Sequence, residues 1–578
     1  MKKSLFLIGA VLAAGLLMTA CSSDNDAVQE TSLDNKFDAQ GNAYINVAIN
    51  LPTTSGSTTR ANGEFNHGTA AEYAVKDAVL ILFKGTNEST ATFNGAYALP
   101  TEKVKQTVTN DQISDRLLYT QQINKGENAI SGSDHIYAFV AVNTNGKFSV
   151  NSTTRVLTVT TKTGSEVMEK GTTTFSTFRG YILNVVGDPT TNGLLMTNPP
   201  TNSAGGGSAA PASTNIRWMP ELTAAHIYNS IEEAYSGDKF VEIYVERAAA
   251  KIDLSVPSGS STGLTTNDAV KYDPSGILWE VQNYNTSYYL TRHVSTTYLG
   301  YTSSLLTTPI YRFAEKTAID PDMATKNYRI PWAEDINYTS TAPENVPTTG
   351  TQATLTKTPS DVVYLAENTV DEESLKQQYT TRIVLAVPFN NGTSFYTSSL
   401  GGGDEIFSVD DMETKVKAYI TNKFSKTATG ITFTNAADGS ATVTAVTLSD
   451  GDATDIANIV SDLGSNAQFS YYKDGMAYYK VLVKHFGDVE TPLKSAADIP
   501  GSTYNDVYPS ATRAQDYLGR YSIVRNNWYQ ITLDGIKHIG KPSVPEIPTD
   551  TPDDEIDAYL KVRINILSWG IRTQHVTL

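Results

Sequence analysis

Ala43, Ile45, Val47, Ile49 and Leu51 share one side of a run whose intervening residues, Tyr44, Asn46, Ala48 and Asn50, face the other way. Successive side chains in extended backbone point to opposite faces, so this period of two predicts a strand half-buried on its aliphatic side. A strand leaves its backbone donors and acceptors to be satisfied by neighbours, so the segment commits the chain to a sheet. Apolar, β-branched and aromatic runs at Tyr73 to Phe83, His135 to Val142, Phe240 to Val245, Met476 to Val483 and Trp528 to Leu533 predict further strands. Helical patterns are fewer, with candidates near Ile231 to Tyr235 and over Asp410 to Phe424. With 32 tyrosines and only 18% charged residues, the composition agrees with strands and turns. No repeat of fixed period is present, which argues against a solenoid or propeller.

The amino end predicts an address. Met1-Lys2-Lys3-Ser4 is basic, and Leu5 to Met18 is an apolar run of 14 residues, shorter than the roughly 20 that span a bilayer. It reads as a signal peptide over residues 1–20. Met18-Thr19-Ala20 precedes Cys21, the single cysteine, in the manner of a bacterial lipobox, which would place lipid on Cys21; the alternative is an ordinary signal peptide with a chance cysteine. One cysteine also excludes a disulfide scaffold. Beyond the first strand, Pro52 to Gly63 is a polar stretch holding Arg60, the first arginine of the chain. An Arg-specific protease would find an accessible bond between Arg60 and Ala61.

At the other end, Pro542, Pro545, Pro548 and Pro552 predict an extended acidic linker before Leu560, Val562, Ile564 and Ile566, which alternate with Lys561, Arg563 and Asn565. Trp569 and Ile571 continue this segment after a register change near Leu567. A spacer from Lys541 to Leu560, fully extended, would reach roughly 60 Å. Loss of the first strand after cleavage would open an apolar groove between unpaired backbone rows, and the terminal strand of another copy has the period to fill it. Burying four or five aliphatic side chains is worth on the order of 8–12 kcal/mol gross. Such a head-to-tail contact propagates as a filament. From pattern alone, pairing of both segments within one molecule is an equal alternative.

The residues bearing these patterns resemble the fimbrillins, the major subunits of the type V pili of Bacteroidota, and above all the Mfa-type stalk subunit. The resemblance rests on Thr59-Arg60-Ala61, on Val245-Glu246-Arg247-Ala248-Ala249-Ala250-Lys251, on Val524-Arg525-Asn526-Asn527-Trp528-Tyr529 with Ile536-Lys537-His538-Ile539-Gly540, and on the ending Leu560 to Leu578 around Trp569. It implies a mostly β fold with two tandem transthyretin-like β-sandwich domains, residues 61–240 and 241–540. A lipidated prosegment, 21–60, would precede them, and a proline-rich linker with donor strand, 541–578, would follow. It also implies an outer-membrane lipoprotein precursor cleaved by an Arg-specific surface protease and polymerised into a fimbrium. Other copies, anchor and tip or accessory subunits, and receptors on host or bacterial surfaces would be its partners. The Gly/Ser-rich stretch 201–211, expected as an exposed insertion, and the region 260–400 depart from the family pattern.

Other function classes fare less well. A formal charge of −17 without a basic run argues against nucleic acid, and membrane contact is expected only through the precursor lipid. Seven histidines lie apart, none in a zinc-protease pattern, so no metal or cofactor is expected. Gly259-Ser260-Ser261-Thr262-Gly263 has the spacing of a nucleophile elbow without the helix that should follow. Asp450-Gly451-Asp452-Ala453-Thr454-Asp455 breaks the ligand order of a calcium loop and reads as a solvated turn. No enzyme is expected. A tip or accessory adhesin is the nearest alternative. A surface glycan-binding lipoprotein is another, if Tyr288-Tyr289, Tyr471-Tyr472 and Tyr478-Tyr479 each expose a ring, although alternation would put one ring of each doublet in the core.

Overall fold

The computed structural model describes residues 34–575 except 53–67, 101–103, 108–112, 129–132, 185–188, 204–210, 212, 258–261, 307, 309, 315–327, 339–354, 488, 492–510, 555–559 and 568–571. The chain is mostly β, as its alternating runs predict. In the amino-terminal half one sheet runs Ile227–Tyr228, Asn42–Pro52, Ile113–Asn124, Val104–Thr107, with Val241–Tyr244 also paired to Asn42–Pro52. A second sheet runs Glu246–Arg247, Met196–Thr197, His135–Val142, Ala78–Gly85, Thr92–Ala98. The aliphatic faces of the two meet in one core, where Ile45, Val47 and Ile49 pack with Leu80, Leu82, Ala138 and Val140. Behind the second sheet, Phe83, Phe139, Phe175 and Phe178 form another apolar layer. The Tyr73 to Phe83 run divides: Ala70–Tyr73 is one helical turn and the strand begins at Ala78. Within that turn Glu72 is a buried ion partner.

The carboxyl-terminal half repeats the scheme with different strands. A sheet ordered Val362–Leu365, Ala250–Ser255, Trp528–Ile536, Leu560–Leu567, Arg572–His575 faces one built from Leu278–Gln282, Arg382–Pro388 and Met476–Leu482. Ile252, Leu254, Ile531 and Leu533 fill the space against Trp279, Ile383, Leu385 and Tyr479. Part of the region 260–400 thus supplies core strands to this half.

The helix Val409–Phe424 forms where the sequence predicts it, and Ile231–Ser236 likewise. A second long helix, Ala453–Asn466, was not expected. Together with Val409–Phe424 it packs over the strands Ala428–Asn435 and Ser440–Leu448, adding a mixed layer to the β framework. Its start explains the aspartate run: Asp452 Oδ1 accepts from the backbone N–H of Thr454 at 2.8 Å and of Asp455 at 2.9 Å, and Asp455 pairs with Lys426 at 2.6 Å. The run expected as a solvated turn is therefore a helix cap, using its carboxylates on orphan N–H groups. The stretch 201–211 also differs at its ends, since Thr201 and Asn202 form a buried strand between Ile216–Arg217 and Tyr328–Arg329, and Pro211 is buried. Residues 204–210 lie outside the described residues.

Candidate assembly site

Asn42–Pro52 is an interior strand, hydrogen-bonded on both sides. One flank is Ile113–Asn124, antiparallel from Asn42 opposite Asn124 to Asn50 opposite Arg116. The other flank is Ile227–Tyr228 antiparallel and then Val241–Tyr244 parallel. Ala43, Ile45, Val47, Ile49 and Leu51 are at most 2% exposed, as the alternation predicts. The polar face departs from the half-buried expectation. Asn46, Ala48 and Asn50 are also buried, because the helix Ile231–Ser236 and neighbouring side chains cover this side. Asn46 Nδ2 donates to the carbonyl of Ala234 at 2.6 Å, and its Oδ1 accepts from Thr120 Oγ1 at 2.8 Å. Asn50 Nδ2 donates to Glu242 Oε2 at 2.8 Å, and Glu242 is also held by Arg116. Both buried amides are thus satisfied, as their burial demands. Withdrawing this strand would leave a slot with an apolar floor, two open backbone rows and a specific set of polar stubs.

The terminal strand Leu560–Leu567 pairs antiparallel with Trp528–Ile536 of its own chain, Asn565 opposite Gln530 and Ile564 opposite Ile531. Arg572–His575 adds beyond it. Within this single chain both end segments are therefore paired intramolecularly. Cys21, Arg60, Ala61, Trp569 and Ile571 lie outside the described residues.

The expectation of a free linker from Lys541 is corrected. Tyr478 and Lys541 exchange backbone hydrogen bonds at 2.8 and 2.9 Å. The buried Arg382 guanidinium donates to the carbonyls of Pro545 at 2.6 Å and Glu546 at 3.1 Å. Gln377 holds the carbonyls of Thr551 and Pro552, and Lys376 pairs with Asp550 at 2.6 Å. Asp554, whose side chain is fully buried, sits 2.8 Å from Arg520 Nε. Prolines do keep this segment extended, but extended backbone exposes carbonyls, and buried arginines with fixed forks capture them. Among the described residues the linker is thus anchored as far as Asp554. Six residues from there to Leu560 reach about 20 Å at most, not 60 Å.

Sequence blocks far apart in the chain converge between the two halves. The backbone N–H of Asn526 donates to the Ala249 carbonyl at 2.7 Å and that of Lys251 to the Asn527 carbonyl at 2.9 Å. Lys251 Nζ stands 2.8 Å from Glu72 Oε1 and 3.6 Å from the centroid of the Trp528 ring. Glu72 Oε1 also accepts from the Tyr364 hydroxyl at 2.6 Å. Burial acts to raise the Glu72 carboxyl, but the hydrogen bonds from Lys251 and Tyr364 hold it below its ordinary value. Arg292 forks onto Glu246 at 3.0 and 2.6 Å and reaches the Arg525 carbonyl at 3.1 Å, while Arg525 pairs with Glu367 at 2.8 Å. Asp253, pushed up to about 6 by burial, accepts from Trp528 Nε1 at 3.0 Å. The Glu-Arg-Ala-Ala-Ala-Lys and Arg-Asn-Asn-Trp blocks are therefore two sides of one buried polar seam. Sequence reasoning singled out the blocks but missed their partners Glu72, Arg292, Tyr364 and Glu367, which carry no local signature.

The tyrosine doublets do not build a ring platform. Tyr478 and Tyr479 are both buried, Tyr472 stacks on Phe395 at 4.5 Å beside a half-buried Tyr471, and Tyr289 stacks on His293 at 3.7 Å beside a buried Tyr288. One-in, one-out alternation fails at Tyr478 because Leu355 and Val544, from a neighbouring loop and the linker, cover the second face.

Comparison with known proteins places the carboxyl-terminal region. A search of curated proteins finds no match. Among solved structures, a proposed cell adhesion protein from Parabacteroides distasonis is 13% identical with a TM-score of 0.33, covering 92% of this chain and 98% of its own. The tip fimbrial protein Mfa3 from Porphyromonas gingivalis, with C-terminal truncation, is 9% identical with a TM-score of 0.31, covering 91% and 100%. A fimbrial assembly protein from Parabacteroides distasonis is 10% identical with a TM-score of 0.27, covering 60% and 82%. Residues 501–575, which include Trp528–Ile536 and both terminal strands, match the family described as major fimbrial subunit protein type IV, fimbrillin, C-terminal. The family match covers this carboxyl-terminal region alone, which is similar to the carboxyl-terminal part of fimbrillin subunits.

Proposed function

We propose that this chain is the stalk subunit of a surface fimbria, made as an outer-membrane lipoprotein lipidated at Cys21, cleaved between Arg60 and Ala61, and polymerised by strand exchange. The observation that carries this reading is the position of Asn42–Pro52. It is the first strand of the described chain, yet it lies inside its sheet, and the Arg60 bond follows its end by only eight residues. Cleavage there would cut the covalent tie between the strand and the sheet it completes. The strand Leu560–Leu567 of another copy, with Trp569 and Ile571 beyond it, would then take the vacated slot. Residues 61–240 and 241–540 would form tandem transthyretin-like domains, each around one of the two facing sheet pairs. Other copies, together with anchor and tip subunits, are the partners of such a fibre, and an Arg-specific surface protease is its trigger.

Amino-terminal sequencing of the surface form tests the reading, with a start at Ala61 expected. A start at Cys21 in assembled filaments would refute cleavage as the trigger. Removing residues 560–578 should leave folded, cleaved monomers, and filaments from that variant would refute donation by the terminal strand.

A further inference from the structure

A groove that accepts a foreign strand must also fix its register, since a slip by two residues keeps the apolar face inward while changing every side chain on the other face. The polar side of the slot supplies that selection. We propose that the terminal strand of a second copy enters with Asn565 at the position of Asn46, so that Val562, Ile564 and Ile566 stand where Ala43, Ile45 and Val47 stand. This rests on the strand-exchange reading above and takes the incoming strand in the direction of the one it replaces.

The argument lies in a gradient of burial along one face. Asn42 and Tyr44 are partly exposed, whereas Asn46, Ala48 and Asn50 are 1%, 0% and 2% exposed. Asn46 leaves behind a carbonyl acceptor at Ala234 and a hydroxyl donor at Thr120, a pair that on the face of the arm from Lys561 to Leu567 only the Asn565 amide can both donate to and accept from. The corresponding face of the arm reads Lys561, Arg563, Asn565, Leu567. With Asn565 at position 46, Lys561 falls at 42 and Arg563 at 44, both open to water, and the amide renews both hydrogen bonds. Leu567 falls at 48, where the arm's alternation breaks.

The neighbouring registers fail on charge or on filling. Sliding by two puts Arg563 at 46 and Asn565 at 48. Sliding by four puts Lys561 at 46 and Arg563 at 48, the site with no exposure. Each buries a cation against an uncharged hydroxyl and carbonyl or against the Ala48 site. Sliding by two the other way puts Leu567 at 46, where it answers neither the Ala234 carbonyl nor the Thr120 hydroxyl, and moves Ser568 and Gly570 inward from positions 49 and 51 to 47 and 49. Asn565 is thus a register-setting residue, and Thr120 with Ala234 is its reader.

Cross-linking separates register from exchange. In the intact strand, positions 46, 48 and 50 lie opposite Thr120, Leu118 and Arg116. Full-length Asn565→Cys is mixed in equal amounts with Thr120→Cys, Leu118→Cys or Arg116→Cys protein, cleaved with an Arg-specific protease, assembled and mildly oxidised. Cleavage removes Cys21. The expected result is an intermolecular disulfide with position 120 at least ten-fold more abundant than with 118 or 116. A dominant cross-link at 118 or 116 overturns the register while exchange stands. Filaments with no intermolecular cross-link at any of the three, nor with Gln122→Cys protein, which probes position 44, overturn exchange through this slot. Should a cysteine pair block assembly, Asn565→Leu with an unaltered groove gives the second measurement. At least ten-fold fewer filaments are expected from it, and an undiminished yield overturns the role of the amide.

Discussion

Replacing Lys251 by Met probes the polar seam where its two sequence blocks meet. The Lys251 ammonium and Glu72 carboxylate are 3% and 0% exposed and 2.8 Å apart. At an effective dielectric near 20 such a pair attracts by about 6 kcal/mol before desolvation is subtracted. Met keeps the length of the stem and its contact with the Trp528 ring but removes the charge, leaving Glu72 with Tyr364 and the backbone N–H of Thr69. Breaking a buried pair on one side costs about 3–5 kcal/mol. The cost must depend on pH in a defined sense. In the native chain the Glu72 carboxyl is held below its ordinary value, so its contribution is present above about pH 4.5 and is lost as pH falls through the folded value. Without Lys251, burial raises the same carboxyl, so the variant loses stability as pH rises above about 4.5. Equilibrium urea unfolding should therefore show a gap of about 1 kcal/mol at pH 4, from the lost attraction of the ammonium to the Trp528 ring, widening to about 3–5 kcal/mol at pH 7.5. Glu72→Gln with Lys251→Met removes both charges and should recover most of the loss, because the Gln oxygen still accepts from Tyr364. A gap equal at both pH values, or a double variant no better than the single one, would refute the assignment of the seam's energy to this pair.

Two further perturbations test other parts of the structure. Glu88 is 7% exposed, is pushed up to about 7 by burial, and accepts from the backbone N–H of Trp218 at 2.8 Å. A raised carboxyl contributes stability that is present below about pH 4.5 and lost as pH rises through about 7, so Glu88→Gln, which keeps the acceptor oxygen, should gain up to about 3 kcal/mol over the native chain between pH 5 and 8. Urea unfolding at the two pH values measures this, and an unchanged difference would sink it. Asp554→Ala removes the partner of the buried Arg520 and should free the last anchored turn of the linker. Amide exchange over residues 550–554 is expected to quicken by at least ten-fold while that of 541–546, held by Tyr478 and Arg382, stays slow; equal protection in both proteins would show that the ion pair does not hold the linker.

What the sequence makes legible is whatever depends on local period. The alternation at 43–51 places the first strand and its aliphatic face, and the apolar runs at 135–142 and 528–533 fall in interior strands of the two halves. Burial of the other face of the first strand is not legible, because its cover comes from Ala234, distant by 188 residues in sequence. The linker is misread for a related reason. Its prolines announce extension, and extension by itself suggests reach, but the groups that pin it are Arg382 and Arg520, whose recognition of carbonyls and of Asp554 follows from tertiary placement alone. The helix Ala453–Asn466 is missed because a capping box and an acidic turn share the same residue types, and only the apolar positions Ile459 and Leu463 after them distinguish the two.

The polar seam and the pinned linker bear on one question, how a chain could exchange its ends, as proposed above, without losing its body. An exchangeable strand has to be replaceable at little cost to everything around it. The first strand meets that condition, since its contacts lie within one half: the aliphatic core, Thr120, Ala234 and Glu242. The seam that joins the halves runs instead through Glu72, Glu246, Lys251, Arg292, Glu367 and Arg525, all on the carboxyl side of the Arg60 bond. Cleavage there leaves every one of these groups in the same molecule. The linker is likewise held to its own half through Asp554, and under the proposed exchange that hold would be kept while Leu560–Leu567 left Trp528–Ile536. With a reach of about 20 Å at most from Asp554 to Leu560, a receiving slot would then have to lie close to Asp554 of the donor. Under the proposed exchange, a subunit joined to its neighbour over so short a span would be restricted in orientation, and a fibre built that way would gain stiffness from the anchor as well as from the strand contact.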